Sequence, residues 1–183
     1  MNSVLKTINN RRSVRNYKEE QIKDEELKEI LDSAIMAPTA MGQEPWHFTI
    51  IQNKEFLNEI SQIAIDYMKN SGDEFLESIG ESGRNIIHNA PTLIIVSAQS
   101  SAVHGIADSS AAIENMLLAA ESLNIGSCWL GLVISTVFNN EENNNKLNLP
   151  EGYTPLYGVS LGYKADEDTT TPTRNKDVFN WIK

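Results

Sequence analysis

The sequence has few of the features that mark secreted or membrane-bound proteins. It contains a single cysteine, Cys128, so no disulfide framework can form, which indicates a reducing compartment or indifference to redox conditions. No apolar run approaches the ~20 residues that span a bilayer, and the first residues lack the apolar core of a signal peptide. We therefore expect a soluble, cytoplasmic protein whose 183 residues bury one core without covalent cross-links.

Positive charge is also scarce. The chain has 15 Lys and Arg against 25 Asp and Glu, a formal net charge of −10, which argues against nucleic acid or anionic membranes as partners. The glycine-rich loops GxGxxG and GxxxxGK are absent, so no ordinary NAD or ATP domain is predicted. The three histidines, His47, His88 and His104, are too widely spaced in sequence to predict a metal site.

The few arginines are concentrated near the start of the chain. Three of the five, Arg11, Arg12 and Arg15, fall within five residues. Such clustering costs self-repulsion unless an anion neutralises it, and guanidinium groups match phosphate oxygens well. The segment is therefore either a phosphate site or a solvated basic turn that pairs with the acidic surface, and composition alone leaves both readings open.

The stretch Asp108–Val133 dominates the apolar pattern. It predicts a helix buried on nearly all sides, capped by Asp108 or by a serine after it and ended by Gly126. A buried strand over Trp129–Ile134 is expected to follow, with Gly131 marking a close approach to the backbone. This helix and strand should form the core.

The remaining pattern mixes helices with strands. Helices are predicted over Ser3–Asn9, from Asp24 to a stop at Pro38, and over Lys54–Lys69 with Leu57, Ile60, Ala64 and Tyr67 inward; strands are predicted in HFTIIQ after Trp46, over Thr92–Ala98, and over Thr154–Tyr163 with alternating exposure. Four or so strands with more helix predict an α+β or three-layer architecture in a single domain over residues 1–183.

Two polar stretches and the C-terminal tail are less defined. Ser71–Gly83 is either a mobile flap over a site or a surface excursion, and the Asn-rich part of Thr136–Leu149 is a frayed helix end or a loop. The tail carries apolar residues that need a docking surface, for example on a partner subunit.

Four motifs together resemble the FMN-dependent nitroreductase family of NAD(P)H-dependent flavin oxidoreductases. They are RRSVRNY at residues 11–17, APTAMGQEPWHF at 37–48, IGSCWLGL at 125–132 and PTRNKDVFNW at 172–181. The resemblance covers nearly the whole chain in the right order. It implies a three-layer α+β fold with a central, mostly antiparallel sheet flanked by helices, and an obligate homodimer with one FMN at each end of the interface.

The resemblance also implies the residues that hold the flavin. These are Arg11, Arg12, Ser13 and Arg15 for the phosphate and pyrimidine edge, Pro38, Thr39, Ala40 and Met41 from the other subunit, Leu130 and Gly131 beside the ring, and Arg174 at the phosphate. Arg12 would act mainly through its backbone, and the backbone amides of Gly131 and Leu132 would point at flavin N5. No side-chain acid or base is assigned.

The implied function is a ping-pong oxidoreductase that takes hydride from NADH or NADPH and reduces a nitro compound, a quinone or a similar small acceptor. Gly42 and Glu44 depart from the usual Asn and Gln, which leaves the flavin potential and acceptor choice open. Alternatives are a family relative with other flavin chemistry, such as enone reduction or dehalogenation, and a flavin storage or sensor module without rapid turnover. A thiol enzyme built on Cys128, one histidine and Asp108 is a further alternative.

Overall fold

The computed structural model describes residues 2–166 and 172–183 and is organised around an antiparallel sheet. Its strands are β1 (Trp46–Ile51), β2 (Thr92–Gln99), β3 (Ile125–Leu130) and β4 (Tyr153–Tyr163), in the order β1-β2-β4-β3. Phe48 pairs with Val96, and Trp129 pairs with Val159. β2 and β4 are the inner strands, and β2 is buried at every residue from Thr92 to Ala98, so both faces of the sheet are covered.

Helices supply both layers. Their bounds are α1 (Ser3–Asn10), α2 (Asp24–Ala34), α3 (Lys54–Lys69), α4 (Glu74–Glu81), α5 (Gly105–Ser122), α6 (Leu132–Thr136) and α7 (Glu141–Asn145). Ile94 and Val96 of β2 share a core cluster with α2 and α5, whereas Leu93 and Ile95 share one with α3 and α6. Alternate residues of one strand thus serve opposite faces. The predicted three-layer α+β fold with an antiparallel sheet is confirmed.

The long helix α5 is the core element that its sequence predicts. Ile113, Met116 and Ala120 are fully buried. Three of its polar residues have partners within the chain, whereas Asp108 Oδ2 and the Ser109 hydroxyl are buried without a hydrogen-bond partner among the described residues. The ion pairs are Arg11–Glu114 at 3.6 Å and Lys164–Glu121 at 2.8 Å, and the Asn115 side-chain amide donates to the Ser33 carbonyl at 3.0 Å.

The predicted boundaries of this helix and its strand were wrong. The helix begins at Gly105, so Asp108 lies in its first turn and does not cap it. The chain leaves the helix through Asn124, whose φ is +59°, and not through Gly126. The strand ends at Leu130, and part of the apolar run predicted as strand forms α6. A continuous apolar run carries no periodicity that separates a strand from a buried helix.

Three further expectations about the elements were wrong. β4 lacks the predicted alternating exposure: it is continuously buried from Gly158 to Gly162, where helices cover both faces of this inner strand. Tyr67 is exposed, and Met68 fills the core position instead. Helix α2 starts at Asp24, as predicted, but ends at Ala34, before Pro38.

The two undefined polar stretches both contain helices. Ser71–Gly83 includes α4, capped by Asp73, whose carboxylate accepts from the amides of Phe75 and Leu76. The Asn-rich run forms the short α7, capped by Asn140. Across residues 2–166 and 172–183, no helix combines the length and apolarity needed to cross a membrane.

Candidate functional site

The arginine-rich segment runs along the free edge of β3. Ser13 forms a parallel bridge with Ser127, and the Val14 amide donates to the Ser127 carbonyl at 2.9 Å. Further on, the Tyr17 hydroxyl donates to the Val14 carbonyl at 2.7 Å, and the Lys18 amide donates to the Tyr163 carbonyl at 2.9 Å. These bonds fix the arginine-rich segment against the middle of β3 and the last residue of β4.

Two glycines make room for this segment. Gly126 and Gly162 are register partners across β3 and β4. A Cβ added at Gly126 would lie 2.9 Å from Val14 Cγ1, and one at Gly162 would lie 3.0 Å from Tyr17 Cδ1. Val14 therefore packs directly against the backbone of Gly126. The sequence pattern did not predict this contact, because it placed Gly126 at the end of a helix.

We expect Gly126→Ala to lower the free energy of unfolding by about 1–3 kcal/mol, because the new methyl group overpacks against the stiff, buried Val14. Urea denaturation of both proteins measures this. The double variant Gly126→Ala/Val14→Ala is the matched control, since removing the Val14 methyl groups should make the combined cost smaller than the sum of the two single costs. If the loss of unfolding free energy in the double variant equalled the sum of the losses in the two single variants, the proposed contact between residue 126 and Val14 would be contradicted.

The edge segment places three predicted residues near the Cys128 thiol. Burial raises the pKa of Cys128, and the guanidinium groups of Arg15 and Arg11 and a hydrogen bond from Ser13 act in the opposite direction. Cys128 and Leu130 project from the same face of β3, so the predicted residue Leu130 is the next residue on the face that Cys128 occupies. The thiol is only 2% exposed, which disfavours the thiol-enzyme alternative.

The turn after β3 presents free backbone groups. Gly131 precedes α6, and Leu132 is the first helical residue. The first amides of a helix have no intrahelical acceptor. No atom lies within 4 Å of the point where a Gly131 Cβ would stand, so a flat group can approach this backbone closely.

The side chains of the three clustered arginines have different hydrogen-bond and ion-pair partners. Arg12 donates to the carbonyls of Asn9 at 2.7 Å and Arg11 at 2.8 Å, so its side chain turns back onto the end of α1. Arg11 pairs with Glu114, but both side chains are partly exposed and such a pair contributes little. Arg15 is exposed and donates to the Ser13 carbonyl at 3.3 Å. Arg11 and Arg15 are therefore the better-placed cations for an anion.

The predicted Pro38–Met41 turn is tied to the start of α5. The Ala40 amide donates to the buried Asp108 carboxylate at 3.1 Å, and the Gln43 side chain accepts from the Val103 amide at 3.2 Å. Arg11 contacts the same helix at Glu114, six residues further on and about 9 Å along the axis. Within one chain the turn and the arginine segment therefore contact α5 at different points.

The two departures from the family motif lie in the same turn. Gly42 has φ +65° with open space around its Cα, and Glu44 has φ +45°. Glycine adopts this backbone conformation at little cost, which explains Gly42 without a role for a side chain.

Arg174 lies apart from the other predicted residues. It sits in the exposed tail and forms no ion pair among residues 2–166 and 172–183. Its assignment stays a prediction.

A polar cleft of about 810 Å³ opens next to Arg15. Its lining includes Arg84, Asn85 and His88, none of which we singled out as site residues from the sequence. The only signal was an arginine and a histidine in the short interval before Pro91, and that interval has no periodicity.

Comparisons with known proteins identify the family. The model of the nitroreductase family matches residues 8–163. A relative from Archaeoglobus fulgidus, whose provisional name is NADH dehydrogenase/NAD(P)H nitroreductase, is 35% identical over 91% of this chain and 88% of its own. An FMN reductase [NAD(P)H] of Bacillus subtilis is 28% identical over 98% of this chain and 73% of its own.

Among solved structures, a nitroreductase with bound FMN from Bacteroides fragilis superposes with a TM-score of 0.90 at 35% identity, and all of both chains is covered. Sequence match and fold therefore agree over nearly the whole length. This chain belongs to the nitroreductase family.

Proposed function

We propose that this chain is an FMN-dependent oxidoreductase that is reduced by NAD(P)H and then passes electrons to a nitro compound, a quinone or a similar small acceptor in a ping-pong cycle. The family match and the relatives named for FMN reduction and NAD(P)H nitroreduction support the enzyme class and its cofactor. The observation that carries the proposal is that the arginine segment is fixed against β3 at Ser127, and that the same strand leads into the open turn at Gly131.

The residues present fit FMN. A phosphate requires cations and hydrogen-bond donors, and Arg11, Ser13 and Arg15 supply both at one sheet edge. A flat ring requires close access to backbone amides, and Gly131 provides it. When bound, FMN supplies the redox chemistry, which no side chain of the protein can perform.

The chain's own residues would bind the flavin, orient it and stabilise the negative charge that develops on it. A guanidinium such as that of Arg15 lowers the energy of negative charge that develops nearby. The amides of Gly131 and Leu132, fixed at the start of α6, offer donors that need no reorganisation. We assign no side-chain acid, and water can supply a proton.

The visible spectrum of the purified protein, followed by anaerobic addition of NADH or NADPH, tests this proposal. We expect flavin absorbance that bleaches quickly with at least one nucleotide, and dithionite provides the control for complete reduction. Flavin that dithionite bleaches but neither nucleotide reduces quickly would contradict the proposal and favour a storage or sensor module. A colourless protein that also ignores added FMN would refute flavin binding altogether.

A further inference from the structure

The polar cleft beside Arg15 has three walls. Helix α3 contributes Asn58, Ser61, Gln62 and Ile65, the loop after α4 contributes residues 82–85 together with His88 and Asn89, and the arginine segment contributes Arg15 and Asn16. Its volume of about 810 Å³ is large enough for a small organic molecule and not merely an ion. Because Arg15 also belongs to the predicted flavin site, the cleft borders that site and extends from it along α3.

The charge of the cleft is opposite to that of the protein. Its lining contains two arginines and one histidine, together with several side-chain amides, but no Asp or Glu. The whole chain has 25 acidic residues and a net charge of −10, so an acid-free cleft of this size is unexpected. Arg84 is exposed, and within the described ranges it has no ion pair.

The loop that carries Arg84 is held in a defined shape. The Asn85 side chain accepts from the amides of Ile87 at 3.0 Å and Asn89 at 3.1 Å, and the Ser61 hydroxyl accepts from the Ile86 amide at 3.3 Å. His88 and Asn89 both have positive φ, an uncommon conformation that the hydrogen bonds maintain. The polar groups of this wall are therefore preorganised.

His88 adds hydrogen bonding without adding charge. Burial lowers its pKa, and the neighbouring Arg15 guanidinium lowers it further. The imidazole is therefore neutral at pH 7 and can both donate and accept. The fixed positive charge of the cleft comes from Arg15 and Arg84.

We propose that this cleft recognises an oxyanion on a substrate of the enzyme, with Arg84 as the specificity-determining residue. Two substrates of the proposed reaction can supply that oxyanion: the 2′-phosphate of NADPH, for which an arginine is the usual partner, or a carboxylate or phosphate on the acceptor. The inference rests on the proposed function, since a substrate that exchanges electrons with the flavin must lie next to it.

Steady-state kinetics of Arg84→Ala separate the two sources. Each protein is assayed with NADPH and NADH, and with 4-nitrobenzoate and the neutral 4-nitrobenzyl alcohol as acceptors. We expect KM to rise about 10- to 100-fold for the substrate that carries the oxyanion, the factor for one lost charge-assisted hydrogen bond, with no change for the counterpart that lacks that oxyanion. Lys69→Ala is the matched control, because Lys69 is an exposed cation at the end of α3 that does not line the cleft.

A direct binding measurement accompanies the kinetics. If NADPH is the source, calorimetry should show 2′,5′-ADP binding more weakly to Arg84→Ala than to the wild type, and if the acceptor is the source, 4-nitrobenzoate should show that loss. The inference would be overturned if Arg84→Ala had the same KM as the wild type for each of the four substrates. Loss of bound FMN from Arg84→Ala with no change in KM would also overturn it. A wild-type protein that binds no FMN would instead refute the proposed function.

Discussion

Arg15→Ala will purify with little or no bound FMN, whereas the wild type will be yellow. Arg15 lies near Cys128 of β3, is exposed, and has no carboxylate partner among the described residues, so its charge is available to the cofactor. A charge-assisted hydrogen bond contributes about 1.5–3 kcal/mol, so FMN affinity should fall by about 10- to 100-fold. Flavin absorbance after gel filtration, and titration of the apoprotein with FMN, measure both quantities.

Arg12→Ala is the control for this loss. It removes the same charge from the same segment, but the Arg12 side chain is directed at the carbonyls of Asn9 and Arg11. It should therefore keep near-wild-type flavin content. Equal loss in both variants would show that net charge, and not a specific contact, holds the flavin; full retention in Arg15→Ala would refute the assignment of Arg15.

Elements with strong local signals could be predicted from the sequence. The bounds of α3 were predicted correctly because its residues repeat with helical period and Asn53 caps its start, accepting from the Phe56 amide. The bounds of β3 and α6 could not be predicted, because one apolar run continues through both and only the packing of α6 on β4 separates them. The alternating exposure predicted for β4 was wrong for a related reason. The inner position of β4 in the sheet is set by the topology of the chain and not by the residues of the strand.

The residues of the candidate site also differ in whether the sequence could predict them. The resemblance identified Arg11, Ser13, Arg15 and Gly131, and the structure places the first three beside Ser127 and Cys128 of β3, the strand that Gly131 follows. It gave no hint of Arg84, because that residue reaches the cleft only through the packing of α3 and α4, far from Arg15 in sequence. A position defined by tertiary contacts leaves no periodic or local signal to find.

Removing residues 175–183 should convert a dimer into a monomer over a wide concentration range. The described parts of the chain do not bury the apolar side chains of the tail. Phe179, Trp181 and Ile182 are 75%, 79% and 93% exposed. Large apolar side chains left in water in a row mark an interaction surface. Burying even two of them on a partner would contribute about 3–6 kcal/mol, so the dissociation constant should rise about 100-fold or more.

A point variant separates the apolar contacts from the length of the tail. Phe179→Ala/Trp181→Ala keeps every residue of the backbone and should reproduce most of the loss, since aromatic anchors dominate interfaces. Asn175→Ala/Asn180→Ala alters neighbouring polar residues and should leave assembly unchanged. Light scattering across a dilution series gives the mass of each protein. A wild type that is already monomeric, or a truncated protein that stays dimeric on dilution, would show that the tail does not hold two subunits together.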